Sequence, residues 1–285
     1  MKSDLLFPRY FKIIGWVLAL PGLVLEYLFI FQRYTIPFLS YGERASDPYA
    51  RYLYAGQYNL TDELAVTLSV IGLIFIGFSK LKQEDWVISK IRLTALFWAV
   101  LVNCIWVYFY LLALSFADFA HINFFSFDVF TCNVITPLLI FILRFMYLRY
   151  RYQKGKRTRD IHLFLYKPYG LFGVVGSIGY FILGIVSIIE PFRISIPQEV
   201  FIGLPPILLL WLWSRAKNEN KHVAGVRFKA MQTAIYINYC LFLIAEWTMY
   251  GPVYSNVQFG SLVSVQIIFI IIFYYQLYWN QRTYR

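Results

Sequence analysis

Apolar residues along this chain gather into eight segments that are separated by shorter polar stretches. The segments are residues 13–31, 64–78, 93–117, 124–148, 169–189, 200–214, 230–250 and 259–279. Five of them run for about 19 to 25 residues, which is enough for a helix to cross a bilayer core of roughly 30 Å. The other three hold about 15 apolar residues between charges, and they can span if their flanking basic side chains reach the headgroups. The pattern predicts an all-α membrane protein with eight transmembrane helices.

The positions of the basic residues support the same threading. If the N-terminus is cytoplasmic, 22 of the 26 Lys and Arg residues fall in cytoplasmic stretches. The other four are Arg33, Arg44, Arg51 and Arg193. This distribution follows the positive-inside rule, so we expect a membrane protein with both termini in the cytoplasm.

Composition agrees with a membrane location. Of the 285 residues, 60% are hydrophobic and only 14% are charged, whereas soluble domains carry about 25% charged residues. The net charge of +11 is explained by the Lys and Arg residues of the predicted cytoplasmic stretches. It predicts attraction to anionic lipid headgroups and gives no reason to expect nucleic acid binding.

The second half of the chain repeats the first. Residues 79–104 align without gaps to residues 214–239, with seven of 26 positions identical, and residues 139–150 resemble residues 267–278. Each half holds four apolar segments, and because four is even, both halves enter the membrane from the same side. The sequence therefore predicts a parallel tandem repeat: a four-helix unit at 1–150, a basic cytoplasmic linker at 151–168 and a second four-helix unit at 169–285.

Three features of the repeated segment carry a resemblance: a turn rich in Lys and Glu, an Arg followed three residues later by Ala, and an Asn in mid-helix. In this pattern the chain resembles uncharacterised multi-pass inner-membrane proteins of Bacteroidota-type bacteria. The resemblance implies a bacterial origin, and it brings no assigned activity and no functional residues.

Four polar residues inside the apolar segments are candidates for an intramembrane site, because polar groups in hydrocarbon are costly. Asn103 and Asn238 occupy equivalent positions of the two halves, where they can form interhelical hydrogen bonds or line a pore or ligand site. Glu26 and Glu246 have no acidic counterpart in the other half. They can handle protons or cations, or reach the water of the headgroup region.

Small residues recur along two segments. Gly170, Gly173, Gly176 and Gly179 are spaced by three, and Gly15, Ala19 and Gly22 form a weaker version on the first segment. Because small residues let helix backbones approach closely, we expect these two helices to pack near the interface between the halves.

No motif for zinc binding, a serine nucleophile or a phosphate loop occurs in the sequence. The three Cys residues are scattered through apolar segments and suggest neither disulfides nor a metal site. The sequence therefore predicts no catalytic residue, metal or cofactor, and it favours a non-enzymatic protein.

Two functions fit this pattern. The first is a membrane sensor or regulatory scaffold whose basic cytoplasmic turns contact a protein partner or anionic lipid. The candidate contact residues lie in the repeated turn and its copy: Lys82, Glu84, Arg92, Lys217, Glu219 and Arg227. The alternative is a transporter or channel for a small solute or lipid, with a path between the two repeats. The position of the duplicated feature on cytoplasmic turns favours the sensor.

Overall fold

The computed structural model describes residues 5–41, 58–119, 129–156, 163–188, 203–216, 221–249 and 251–283. In these ranges the chain forms eight α-helices of ten residues or more. They are α1 (Phe11–Gln32), α2 (Thr61–Phe78), α3 (Trp86–Phe119), α4 (Val129–Gln153), α5 (Leu171–Ile188), α6 (Leu204–Trp213), α7 (Lys221–Thr248) and α8 (Gly251–Thr283). Each contains or overlaps one apolar segment of the sequence, which confirms the all-α prediction for this part of the chain.

Three helices extend well beyond their apolar segments. The third begins at Trp86, the seventh begins at Lys221 and the eighth runs from Gly251 to Thr283, because a helix need not end where its apolar stretch ends. The sixth is shorter than its segment and spans Leu204–Trp213, with Pro205 in its first turn, a position that tolerates proline. Residues 120–128, which include the start of the fourth apolar segment, lie outside the described residues.

Five helical stretches are long and apolar enough to cross a membrane: Phe11–Gln32, Thr61–Phe78, Trp86–Tyr110, Asn133–Gln153 and Val223–Thr248. Apolar side chains also cover the surface of helices, as Ile13 and Val17 do on α1 and Phe172 and Phe181 do on α5. Exposed apolar faces of this extent suit contact with lipid. The chain is therefore a multi-helix protein of membrane type.

The described chain groups into two compact units, each built from both halves of the sequence. Unit 1 comprises Met1–Ala99, Phe130–Thr158 and Ile237–Ser261, and unit 2 comprises Val100–Val129, Arg159–Tyr236 and Leu262–Arg285. These boundaries differ from the sequence division at 150 and 169, because the long helices α3, α7 and α8 each contribute to both units.

In unit 1, helices α1 and α2 form a tight hairpin. Gly15, Ala19 and Gly22 lie on one buried stripe of α1. A Cβ atom on Gly22 would lie 2.5 Å from the backbone nitrogen of Ser69, and one on Gly72 would lie 2.4 Å from the nitrogen of Ala19. Backbone this close to backbone requires glycine at both positions.

In unit 2, helices α5 and α6 pack in a similar way. A Cβ atom on Gly173 would lie 2.6 Å from the backbone nitrogen of Trp211, and one on Gly176 would lie 2.8 Å from Ile207. Both small-residue stripes thus pack against the next helix along the chain, within one unit. The predicted packing of these two helices near the interface between the halves of the sequence stays a prediction.

A short backbone pairing ties each hairpin together at one end. The N–H of Phe7 donates to Phe78 over 3.0 Å, and the carbonyl of Phe7 accepts from Lys80 over 2.9 Å. In unit 2 the N–H of Phe164 donates to Trp213 over 2.9 Å, and its carbonyl accepts from Arg215 over 2.9 Å. Phe7 thus lies beside Ser79, and Phe164 beside Ser214, as one-residue parallel bridges.

The opposite end of the α1–α2 hairpin is closed by polar contacts. The side-chain hydroxyl of Thr61 accepts from the N–H of Ile36 over 2.8 Å, and the amide of Asn59 donates to the carbonyl of Ile36 over 2.9 Å. The two-residue strands β1 (Ser40–Tyr41) and β2 (Tyr58–Asn59) pair antiparallel beside them. The hairpin is thus fixed at both of its ends.

Candidate functional site

Unit 1 contains a group of acidic side chains where α2 begins and α7 ends. Glu63, on the first turn of α2, and Glu246, near the end of α7, are 8% and 4% exposed. Asp62 and Glu63 both lie close enough to Glu246 to interact electrostatically with its carboxyl group. We call Asp62, Glu63 and Glu246 the carboxyl cluster.

Two aromatic side chains hold the helices of the carboxyl cluster in place. The hydroxyl of Tyr254, on α8, donates a hydrogen bond to Oε2 of Glu246. The indole nitrogen of Trp247 donates to the hydroxyl of Thr67 over 2.8 Å and so links α7 to α2. The cluster therefore sits where three helices of unit 1 are joined by directed polar contacts.

Glu26 lies near this region of unit 1. It is 6% exposed and continues the stripe of Gly15, Ala19 and Gly22 that packs on α2. Because α1 and α2 are antiparallel and Gly22 packs against Ser69, the next turn of α1 lies beside the first turns of α2. The structure thus places Glu26 and Glu246, which the sequence singles out, on helices that both border the start of α2.

Glu63 is the residue that sequence reasoning misses. The second apolar segment begins at residue 64, so the sequence predicts that Glu63 is the last residue of a polar loop. The helix instead begins at Thr61 and carries Asp62 and Glu63 in its first turn. Acidic residues are favoured at this end of a helix because its dipole is positive there, and this preference was the signal available in the sequence.

The repeated turn of unit 1 is built around Arg92. This guanidinium is fully buried, and its Nη1 lies 2.7 Å from Oε1 of Glu84. Its Nη2 lies 3.4 Å from the carbonyl of Ser79, and the group packs over the ring of Phe145 at 4.9 Å. The N–H of Leu81 donates to the other carboxylate oxygen of Glu84 over 3.1 Å. Arg92 and Glu84 thus close the turn between α2 and α3.

Arg227 occupies the corresponding place in unit 2. It is 3% exposed, donates to the carbonyl of Leu212 over 3.3 Å and packs over Phe273 at 4.6 Å. Phe145 and Phe273 correspond in the alignment of 139–150 with 267–278. Lys217 and Glu219 lie outside the described residues.

These contacts limit which of the predicted contact residues a partner could reach. The guanidinium groups of Arg92 and Arg227 are buried against their own chain, and Glu84 is bound to Arg92. Lys82 is exposed, with its backbone carbonyl held by Arg9 over 2.6 Å. In the described part of the turn, Lys80 and Lys82 are the basic side chains open to a partner.

Asn103 and Asn238 are equally buried, each with 8% of its surface exposed. Asn103 belongs to unit 2 and Asn238 to unit 1. Two alanines on the same face of each helix are buried with them: Ala95 and Ala99 on α3, and Ala230 and Ala234 on α7. The two asparagines therefore lie on the packed faces of their helices.

Further polar side chains are buried in unit 2. The amide nitrogen of Gln266 lies 2.8 Å from the sulfur of Cys104, while its Oε1 is buried and has no hydrogen-bond partner among the described residues. Gln232, which is 1% exposed, donates to the hydroxyl of Tyr236 over 3.1 Å. Neither glutamine was predicted as a site residue from the sequence.

No group of three or more His, Cys, Asp or Glu side chains with metal-binding geometry occurs within the described ranges. No protein-family model, no curated protein and no solved structure matches this chain. The candidate sites are therefore two features of unit 1: the carboxyl cluster and the turn around Arg92.

Proposed function

We propose that this chain is a polytopic, non-enzymatic protein of a bacterial inner membrane, with eight spans and both termini in the cytoplasm. We propose further that it is a parallel tandem repeat of two four-helix units. Matching contacts support the repeat, since Ser79 and Ser214 are bridged alike and Arg92 and Arg227 each pack on a corresponding phenylalanine. The relationship to Bacteroidota-type proteins stays a prediction from the repeated turn.

Its function in this proposal is that of a membrane sensor or regulatory scaffold. The cytoplasmic surface would contact a protein partner or anionic lipid through exposed basic side chains, which attract anionic headgroups. In the described residues these include Lys80, Lys82, Lys154, Lys156 and Arg215. Arg92 and Arg227 would instead set the shape of the turns that present these side chains.

One observation carries the proposal: the α1–α2 hairpin is fixed at both ends and packed backbone to backbone between them. Thr61 and Ile36 close one end, and Phe7 and Ser79 close the other. At 1.5 Å per residue, the 18 residues of α2 span about 27 Å. A rigid element of this length can carry a displacement at the carboxyl cluster to the Arg92 turn, which is what a membrane sensor needs.

The proposed coupling between the two ends of the α1–α2 hairpin can be tested by a substitution at one end and a labelling measurement at the other end. Lys82→Cys provides the reporter, in full-length protein in liposomes with Cys104, Cys132 and Cys240 replaced by Ala. The readout is the rate of labelling by a membrane-impermeant maleimide. Thr61→Val removes the hydrogen bond to Ile36 at the far end, and a lost contact of about 1 kcal/mol can change this rate roughly 5-fold.

Tyr239→Phe is the matched control. It also removes one hydroxyl hydrogen bond in unit 1, from Tyr239 to the carbonyl of Val134 at 2.7 Å, but it lies on α7 and α4 and off the hairpin. The proposal expects no change in labelling for this variant. Equal labelling of Thr61→Val and the parent protein would show that the hairpin does not connect its ends.

The alternative function is a carrier for a small solute. The buried polar side chains of unit 2, Gln232 and Gln266, favour it, because polar groups in membrane helices often mark a solute path. A carrier predicts that Gln266→Leu abolishes solute flux into liposomes while labelling at Lys82→Cys is unchanged. The sensor predicts no such flux in the parent protein.

A further inference from the structure

Two members of the carboxyl cluster, Glu63 and Glu246, are buried. Within the part of the chain that the structure describes, neither of them forms an ion pair. An acidic group removed from water without a cation is costly unless a proton or a bound cation neutralises it. Protonation of one of these two carboxyl groups would remove this cost.

The geometry favours a proton over a metal ion. Metal cations such as Ca²⁺ and Mg²⁺ take about six to eight oxygen ligands, and the described residues contain no suitable group of three acidic side chains. A proton needs only one open carboxyl oxygen. Such an atom is present: Oε2 of Glu63 is buried and has no hydrogen-bond partner among the described residues.

The two carboxyl groups differ in their surroundings. Oε2 of Glu246 accepts a hydrogen bond from the hydroxyl of Tyr254, whereas the carboxyl group of Glu63 accepts one from its own backbone N–H. Further titratable groups on the neighbouring helices are Asp62 on the first turn of α2, Glu26 and Tyr27 near the end of α1, and Lys12 at the opposite end of α1.

Glu246 and Glu26 have no acidic counterpart in the other half of the sequence. In the alignment of the two halves, Leu111 corresponds to Glu246 and Gly184 corresponds to Glu26. Each of these acids is therefore particular to one half, Glu26 to the first and Glu246 to the second.

We propose that the carboxyl cluster is a proton-binding site in which Glu63 and Glu246 hold one exchangeable proton between them. The proton adds to the open Oε2 of Glu63, and Glu246, held by Tyr254, is the neighbouring negative charge. This inference names an input for the proposed sensor, but it stands independently because a carrier could use the same proton.

The test is a pH titration of full-length protein in liposomes by infrared difference spectroscopy, which detects the carbonyl stretch of protonated carboxyl groups. The parent protein should show a band that disappears as the pH is raised. Glu63→Gln should remove this band, whereas Glu246→Gln should make it disappear at a lower pH, because the neighbouring negative charge is gone. Because the pair holds one proton, the double variant should lose no more intensity than Glu63→Gln alone.

Tyr254→Phe provides a second arm in case a Gln variant fails to fold. It keeps both carboxyl groups and should shift the band without removing it, because it changes only the hydrogen bond to Glu246. A band that persists unchanged in Glu63→Gln would overturn the proposal. Loss of twice the intensity in the double variant would also overturn it, because the groups would then titrate independently. Neither outcome depends on the Lys82→Cys labelling, so failure of the sensor and failure of the proton site are distinguishable.

Discussion

The backbone of Phe7 brackets Ser79, donating to the residue before it and accepting from the residue after it. Phe164 brackets Ser214 in the same manner. Because these bonds involve only main-chain atoms, they place few demands on side chains. The two serines are visible in the sequence alignment, but the phenylalanines that pair with them are not, since they lie at a different offset.

Arg92 is expected to be a residue required for stability. Arg92→Met removes the partner of Glu84 and the contact with Phe145, and breaking a buried ion pair costs about 3–5 kcal/mol. Denaturant unfolding in detergent should show this loss. Lys82→Met, at an exposed site of the same turn, should stay within about 0.5 kcal/mol of the parent. The double variant Glu84→Gln/Arg92→Met should lose less than the sum of the single variants, and strict additivity would show that the two groups are not coupled.

The glycines between α1 and α2 are expected to be intolerant of any side chain. Gly22→Ala and Gly72→Ala place a Cβ atom 2.5 Å and 2.4 Å from facing backbone nitrogens, so the helices must move apart. The matched control is Gly179→Ala on α5, where a Cβ atom has nothing within 4 Å. We expect a lower unfolding midpoint for the first two variants and no loss for the third, because alanine favours helix over glycine by up to about 1 kcal/mol. Similar stability of all three variants would contradict the close packing of the hairpin.

The order and type of the helices could be predicted from the sequence, because apolar segments long enough to span a membrane are a property of the chain alone. The burial of particular charges could not be predicted. The sequence predicts both Arg92 and Lys82 as contact residues for a cytoplasmic partner. In the structure, Arg92 is buried against Glu84 and Phe145, whereas Lys82 is exposed. Glu63 was missed for a related reason, since its burial depends on α7, which is distant in the sequence.

Asn103 and Asn238 are expected to act in packing. Asn103→Leu and Asn238→Leu should each change the free energy of unfolding modestly, since hydrogen bonds between membrane helices average about 0.6 kcal/mol. Thermal unfolding in detergent measures this change. The competing role, lining a wet cavity, makes a different prediction for Asn103→Cys and Asn238→Cys in protein without native Cys. Rapid labelling of both by a membrane-impermeant thiol reagent would contradict packing and favour the carrier.

The proposed threading is expected to place both termini and the basic linker in the cytoplasm. Reporter fusions after Lys154 and at the C-terminus should give the cytoplasmic signal, because the linker is rich in Lys and Arg. A fusion between residues 42 and 57 should give the periplasmic signal. A periplasmic reporter at Lys154 would rule out this topology and the even number of spans in each half.

The most direct test of the proposed sensor changes the carboxyl cluster and measures the Arg92 turn in the same experiment. The labelling rate of Lys82→Cys is measured in liposomes across a range of external pH, in the parent protein and in Glu63→Gln. The account predicts that the rate changes with pH in the parent protein and is constant in Glu63→Gln, because proton binding at the carboxyl cluster shifts the hairpin. The same pH profile in both proteins would contradict the claim that this cluster controls the Arg92 turn.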